Sequence, residues 1–231
     1  MTNGARECPC SLTPTHTISS LGHNSRELKK GLCSVSGMLD TERCVRRMAM
    51  RNILHENDSG LFKKSRAVTD FNKRLHVLLD DMRETLVEAN GLGLAAPQVG
   101  ILRRAVIIVD TSIEIAEDAS FEEQIVELIN PEIIARSGEQ SGSEGCLSVP
   151  GVYGLVKRPD FVKVKAHDRH GNEFELWGKG LTARAICHEV DHLDGVMFTA
   201  LAERFLTEEE IEKLQQEQEE NECSGELRVE S

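Results

Sequence analysis

The stretch His188-Glu189-Val190-Asp191-His192 restricts the possible folds of this chain more than any other. Histidines four residues apart lie one above the other on a single face of an α-helix, where both imidazoles reach one metal ion. The glutamate between them points close to that ion without having to bind it, placed to take a proton from a water there and hand it on. Two histidines supply half of a tetrahedral shell, so the chain must fold back to deliver more. Cys146, in Glu144-Gly145-Cys146-Leu147-Ser148, is the candidate third ligand. A cysteine and two histidines leave one position open for water, the pattern of a catalytic rather than a structural metal. Such a string also arises by chance, as exposed or core-satisfied histidines. Its helical setting, and a second compact segment with Gly145 beside Cys146, favour the metal. Cys187 adjoins His188, points about 100° away around the helix and is rejected as a ligand. His167 and His170 are expected to be exposed at a hairpin turn, and Asp191 to make a structural salt bridge.

The 231 residues suffice for one well-buried domain plus tails. A net charge of −12 argues against general affinity for nucleic acid, DNA included, or for an anionic membrane surface. No apolar run approaches the roughly 20 residues that span a bilayer. Seven cysteines, an odd set in a chain too long to need disulfide staples, read as mostly reduced thiols of a cytosol-like compartment.

Residues 1–47 are rich in Ser, Thr, Gly and Asn, lack an apolar period and are expected to be a largely disordered extension. Cys8-Pro9-Cys10 is too tight for a zinc knuckle. An organelle transit peptide is the alternative reading of this region, disfavoured by Glu7, Glu27, Asp40 and Glu42. The folded domain is placed at 48–206, with Met48 or Met50 as a candidate initiator. Leu75, Leu78, Leu79, Met82 and Leu86 form a helical stripe capped by Asp70 or Thr69 and ended by Asn90-Gly91. Gly91 to Gly100 is poor in side chains, either a tight turn or a backbone left open for a ligand's main chain; without a Lys-Ser/Thr ending it is no phosphate loop. Ala105 to Asp110 reads as a buried strand, Glu114 to Glu123 as an acidic surface loop, and Ile125 to Asn130 as a strand closed by Pro131. A Gly/Ser-rich approach delivers Cys146. Phe161 to Ala166 and Glu173 to Trp177 form a hairpin around Asp168 to Asn172, and Leu181 to Asp191 is helical, with Gly195 soon after. Thr207-Glu208-Glu209-Glu210 opens a solvated acidic helix and tail over 207–231.

Three segments, Gly91-Leu92-Gly93-Leu94-Ala95-Ala96-Pro97-Gln98, Glu144-Gly145-Cys146-Leu147-Ser148 and His188-Glu189-Val190-Asp191-His192, resemble the three signature motifs of peptide deformylase, in that family's order. The similarity runs from about residue 50 to 200 and includes Ile53-Leu54 and Asn130-Pro131-Glu132. The sequence departs from the family at the N-terminal extension, at His55 to Gly60, where a proline is usual, and at Cys187, where Gln is commoner. The resemblance implies an α+β fold, with antiparallel or mixed sheets packed around a central metal-binding helix and a C-terminal helix. It implies removal of the formyl group from the N-terminal methionine of nascent chains in the cytoplasm.

Carried over, Cys146, His188 and His192 hold one divalent ion, Fe²⁺ by family habit, with Zn²⁺, Ni²⁺ or Co²⁺ able to substitute. Glu189 shuttles the proton, and the Gln98 amide and the Leu147 backbone N–H receive the oxyanion. The N-formylmethionyl peptide adds as a strand along Leu92 and Gly93 on one side and Gly145 on the other. Leu181 and Ala185, two turns and one turn before His188, are candidates to line the methionine pocket. Some bacterial relatives dock on the ribosome through a basic C-terminal helix; here Glu208, Glu209, Glu210, Glu212, Glu217, Glu219 and Glu220 surround the lone Lys213, so any ribosome contact is expected to be transient and not through this helix. Two rival readings are a thermolysin-type peptidase using Glu212 as third ligand, which would not need Cys146, and a non-catalytic binding module, which predicts a damaged Glu189, Gln98 or Cys146.

Overall fold

The computed structural model describes residues 50–113 and 121–213; the expectations for 1–47, for the acidic stretch up to 120 and for the tail beyond 213 lie outside the described residues. Helix α1, Lys73–Glu88, buries the anticipated stripe of Leu75, Leu78, Leu79, Met82 and Leu86. Its cap is Asn72 rather than Asp70 or Thr69, because the Asn72 side chain accepts the N–H groups of Arg74 and Leu75. The chain leaves the helix through Asn90 in the left-handed region, φ 48°, which asparagine tolerates. The Gly91 N–H then closes back on the Leu86 carbonyl.

A short strand β1, Gly93–Ala95, pairs antiparallel with β2, Ala105–Val109. All five residues of β2 are buried, which explains its uninterrupted apolar sequence. Ala105, Ile107 and Val109 face α1; Val106 and Ile108 face the opposite core. Strand β3, Ile125–Ser137, does not stop at Pro131 as expected. It shifts register between Ile129 and Glu132, so the proline falls where no ladder N–H is needed. Asn130 makes the shift possible: at φ 53°, its side-chain amide pairs with both the N–H and the carbonyl of Val68.

The Gly/Ser-rich approach to Cys146 is itself a strand, β4 (Gln140–Cys146), paired with β5 (Val149–Arg158). Its weak sequence signal reflects residues too small to show alternation. Then β6 (Phe161–His167) and β7 (Glu173–Lys179) form the anticipated hairpin, α2 spans Gly180–Leu193 and β8 is Arg204–Phe205. The strands make two antiparallel sheets, ordered β1-β2-β3-β6-β7 and β4-β5-β8. Helix α2 packs Ala183, Ile186, Cys187 and Leu193 against Val106, Ile108, Val162 and Val164, so the fold is α+β around a central helix. Within the expected acidic loop, Phe121–Gln124 is a 3-10 turn. At the C-terminal end, 208–213 is helical. Thr207 Oγ1 accepts the Glu210 N–H, and the Glu210 carboxylate accepts the Thr207 N–H, the reciprocal cap its spacing foretold. Among the described residues no helix is long and apolar enough to cross a membrane.

Gly178 lets α2 settle on β7, since a Cβ there would lie 2.7 Å from Ile186 Cδ1 and 3.1 Å from the Ala183 nitrogen. Gly178→Ala is expected to destabilise the fold by about 1–3 kcal/mol, measured by urea denaturation, with part of the loss recovered in Gly178→Ala/Ile186→Val.

Candidate active site

Helix α2 presents His188 and His192 one turn apart, both buried, and β4 delivers Cys146 opposite them. The two Nε2 atoms stand 3.2 Å apart and Cys146 Sγ lies 3.3 Å from His192 Nε2. All three ligand atoms fall within 4.8 Å of one another. Bonds of about 2.1 Å to nitrogen and about 2.3 Å to sulfur in a tetrahedral shell imply edges of about 3.4 and 3.6 Å. The donor set therefore fits one metal ion. Burial, with the neighbouring His188 charge, holds the His192 pKa well below its usual value, whereas against burial the hydrogen bonds with Cys146 and Glu144 bring His188 up to about 10; a bound ion would require both imidazoles neutral.

Residues 144 and 146 are two apart on β4 and meet successive turns of α2, where Glu144 reaches His188 and Cys146 reaches His192. Glu144 Oε2 lies 3.0 Å from His188 Nδ1, leaving Nε2 to face the cluster. Arg158 grips Glu144 with two bonds, 2.8 and 3.0 Å, and extends a third, 2.6 Å, to Asp191. Burial would raise the Glu144 carboxyl, but hydrogen bonds from His188 and Arg158 outweigh it and bring it down to about 2. The carboxylate therefore stays charged throughout the physiological range. Asp191 makes the structural salt bridge expected of it.

Glu189 is buried on α2, with Oε2 lacking a hydrogen-bond partner. Burial pushes its carboxyl up to about 7, against the lowering influence of His188. An uncompensated buried carboxylate oxygen is what a nearby cation or water would satisfy. Gly93 makes room for it: a Cβ at 93 would come 2.6 Å from Glu189 Oε1. The Gln98 amide has a fixed sense. Its oxygen accepts the Ala95 N–H at 2.8 Å, so Nε2 turns toward Ser148 Oγ at 3.2 Å and Cys146 Sγ at 3.5 Å. Leu54 and Glu56 clip down the Gln98 and Ser148 carbonyls. The Leu147 side chain packs against the α1 core, where Gly91 makes room for it.

A cleft of about 670 Å³ opens beside these groups, within the ~300–1,000 Å³ typical of small-ligand pockets. Leu92, Gly93, Gly145, Leu181 and Ala185 all line it. Sequence reasoning missed Tyr153, whose ring covers Gly145, and the paired arginines 158 and 184 around Glu144. Strand pairing brings in Tyr153 and Arg158, whereas Arg184, one turn before His188 on α2, gains its role only from Glu144 across on β4. Cys187 is buried in the core, its thiol pushed up to about 11 by burial, and takes no part in the cluster. His170 is exposed as expected, but His167 is half-buried beside Phe71 because strand β6 extends to include it. Glu212 is exposed, and the buried group that assembles contains Cys146 instead.

Glu144→Gln retains the shape but loses the charge that His188, Arg158 and Arg184 share. Metal affinity, followed by competition with a chelator, is expected to fall about 10–100-fold.

Comparison with known proteins agrees with this geometry. The family model for polypeptide deformylase matches residues 50–206. A peptide deformylase of Caldicellulosiruptor bescii is 54% identical over 166 residues, covering 72% of this chain and 93% of the relative. Peptide deformylase 1 of Bacillus subtilis is 47% identical over 164 residues, 71% of this chain and 97% of the relative. The Met-Ala-Ser-bound crystal structure of the class I type b peptide deformylase from Acinetobacter baumannii aligns with a TM-score of 0.60 at 33% identity, over 67% of this chain and 99% of that one. With every motif segment inside the matched span and the relatives covered nearly end to end, this chain belongs to the polypeptide deformylase family.

Proposed function

We propose that this protein hydrolyses the formamide of N-formylmethionine at the N-terminus of nascent polypeptides, releasing formate and a free amine, with 48–206 as the catalytic domain. The observation that carries the reading is the convergence of Cys146, His188 and His192 beside a buried Glu189 and an oriented Gln98. Cys146, His188 and His192 would hold one divalent ion, whose Lewis acidity would make a water in the cleft easier to deprotonate near neutral pH.

Glu189 accepts the water's proton on its carboxylate and returns it to the amine nitrogen as the C–N bond breaks, a role typically worth about 10²–10⁴-fold. Gln98 Nε2 and the Leu147 N–H donate to the formyl oxygen as it gains charge, each at about 3 kcal/mol. The peptide lies as an added strand in the cleft between β1 and β4, its main chain along Leu92 and Gly93 on one side and Gly145 on the other. Leu181 and Ala185 bound the methionine pocket. The Acinetobacter baumannii deformylase was crystallised with Met-Ala-Ser bound, a peptide that begins with methionine as the proposed product does, which supports this reading.

The ion is Fe²⁺ by family habit, with Zn²⁺, Ni²⁺ or Co²⁺ able to replace it. We assign the activity to the cytoplasm, where nascent chains are made. The acidic helix starting at Glu208 is repelled by ribosomal RNA phosphate and does not dock there. Glu189→Ala is expected to lower kcat on formyl-Met-Ala-Ser by about 10²–10⁴-fold with metal content unchanged; full activity in that variant would remove the carboxylate from the mechanism. Replacing formyl-Met by formyl-Leu should slow the reaction. Activity should decay in air but not under argon, in step with loss of iron; equal stability in both gases would point to zinc.

A further inference from the structure

Arg158 already gives Glu144 a two-pronged partner, yet a second buried arginine shares the same carboxylate. From α2, Arg184 Nη1 donates to Glu144 Oε1 at 2.9 Å, to the Val156 carbonyl of β5 at 3.0 Å and to the Gly142 carbonyl of β4 at 3.3 Å. Nη2 donates to Gln140 Oε1 at 3.4 Å. One guanidinium thus fastens α2 to both strands of the hairpin that carries Cys146. Arg184 stands one turn before His188 on the same helical face and reaches the cleft wall. Gly142 makes room for it, since a Cβ there would lie 2.9 Å from Nη2 and 3.2 Å from Cζ.

Burying a second cation beside Arg158 is costly unless its donors are satisfied, and removing a buried partner costs more than the pair contributes. The apolar contacts of α2 fix its distance from a sheet but tolerate sliding, and its other polar ties, such as Thr182 to Asp110, His188 to Glu144 and Asp191 to Arg158, each reach a single neighbouring segment. The fork of Arg184 fixes direction as well, because its acceptors lie on two strands and four residues.

We propose that Arg184 is a positioning residue of this enzyme: it locks the strand that supplies Cys146 and receives the peptide onto the helix that supplies His188 and His192. The peptide half of this statement rests on the deformylase reading; the metal half does not.

The test uses the full-length, metal-loaded protein as wild type, Arg184→Met, Arg184→Lys, Gly142→Ala and Gly142→Ala/Arg184→Met. Two quantities are read below the melting temperature: the rate of metal transfer to a chelator, and KM on formyl-Met-Ala-Ser. Arg184→Met is expected to release metal about 10–100-fold faster and to raise KM. Arg184→Lys should recover little, because one ammonium cannot span the four acceptors. Gly142→Ala should shift both quantities the same way in the wild-type background and add nothing in the Arg184→Met background. Metal release and KM within about twofold of wild type in Arg184→Met, even with a lowered Tm, would reduce Arg184 to a stabilising role and overturn the proposal. Equal effects of Gly142→Ala in both backgrounds would overturn it too. Should Arg184→Met fail to fold, Gly142→Ala alone decides, since unchanged metal release in that folded variant contradicts the proposal. Wild-type protein that shows the metal pattern but no formate release would refute the deformylase reading and leave the metal half standing.

Discussion

The carboxylate of Glu144 is the tie on which the site depends. It is buried, carries a full negative charge and is met by His188, Arg158 and Arg184. A carboxylate taken out of water loses several kcal/mol of solvation, which only close, well-aimed donors recover. Here the donors come from β5 and from α2, so satisfying one charge also fixes how two elements cross. The three candidate ligands inherit their spacing from that arrangement: Cys146 is two residues from Glu144 on the strand, and His192 is one turn from His188 on the helix.

A similar economy governs the small residues of the first motif. Gly93 was expected to expose backbone to a ligand, and it does line the cleft. Its closest constraint is nevertheless Glu189, which fills the space a Cβ would take. Gln98 likewise serves two ends, because accepting the Ala95 N–H fixes the sense in which its amine group points. Such groups are oriented before any substrate arrives, which spares the reorganisation cost of electrostatic stabilisation.

Much of this could be read from the sequence, for identifiable reasons. His188, Glu189 and His192 obey helical spacing, and the stripe of α1 and the alternation in β6 and β7 are periodic signals that short-range chemistry sets. The cap at Asn72 was misplaced because Thr69, Asp70 and Asn72 are all good caps, and propensity does not choose among them. Pro131 misled because a strand that shifts register can absorb a proline, and the device that absorbs it, Asn130 pairing with Val68, spans a distance no local rule covers. Strand β4 was invisible for want of bulky residues. Arg158 on β5 and Arg184 on α2 gain meaning only from a carboxylate on a third element, β4.

The cleft also bears on self-association. β1 and β4 are outer strands of their sheets, and an exposed edge with open N–H and C=O groups can pair with any passing chain, including another copy of itself. β1 is only three residues long, and β4 loses its register between Glu144 and Cys146. Edges this short and irregular deny a long neighbouring strand the continuous ladder on which aggregation would grow.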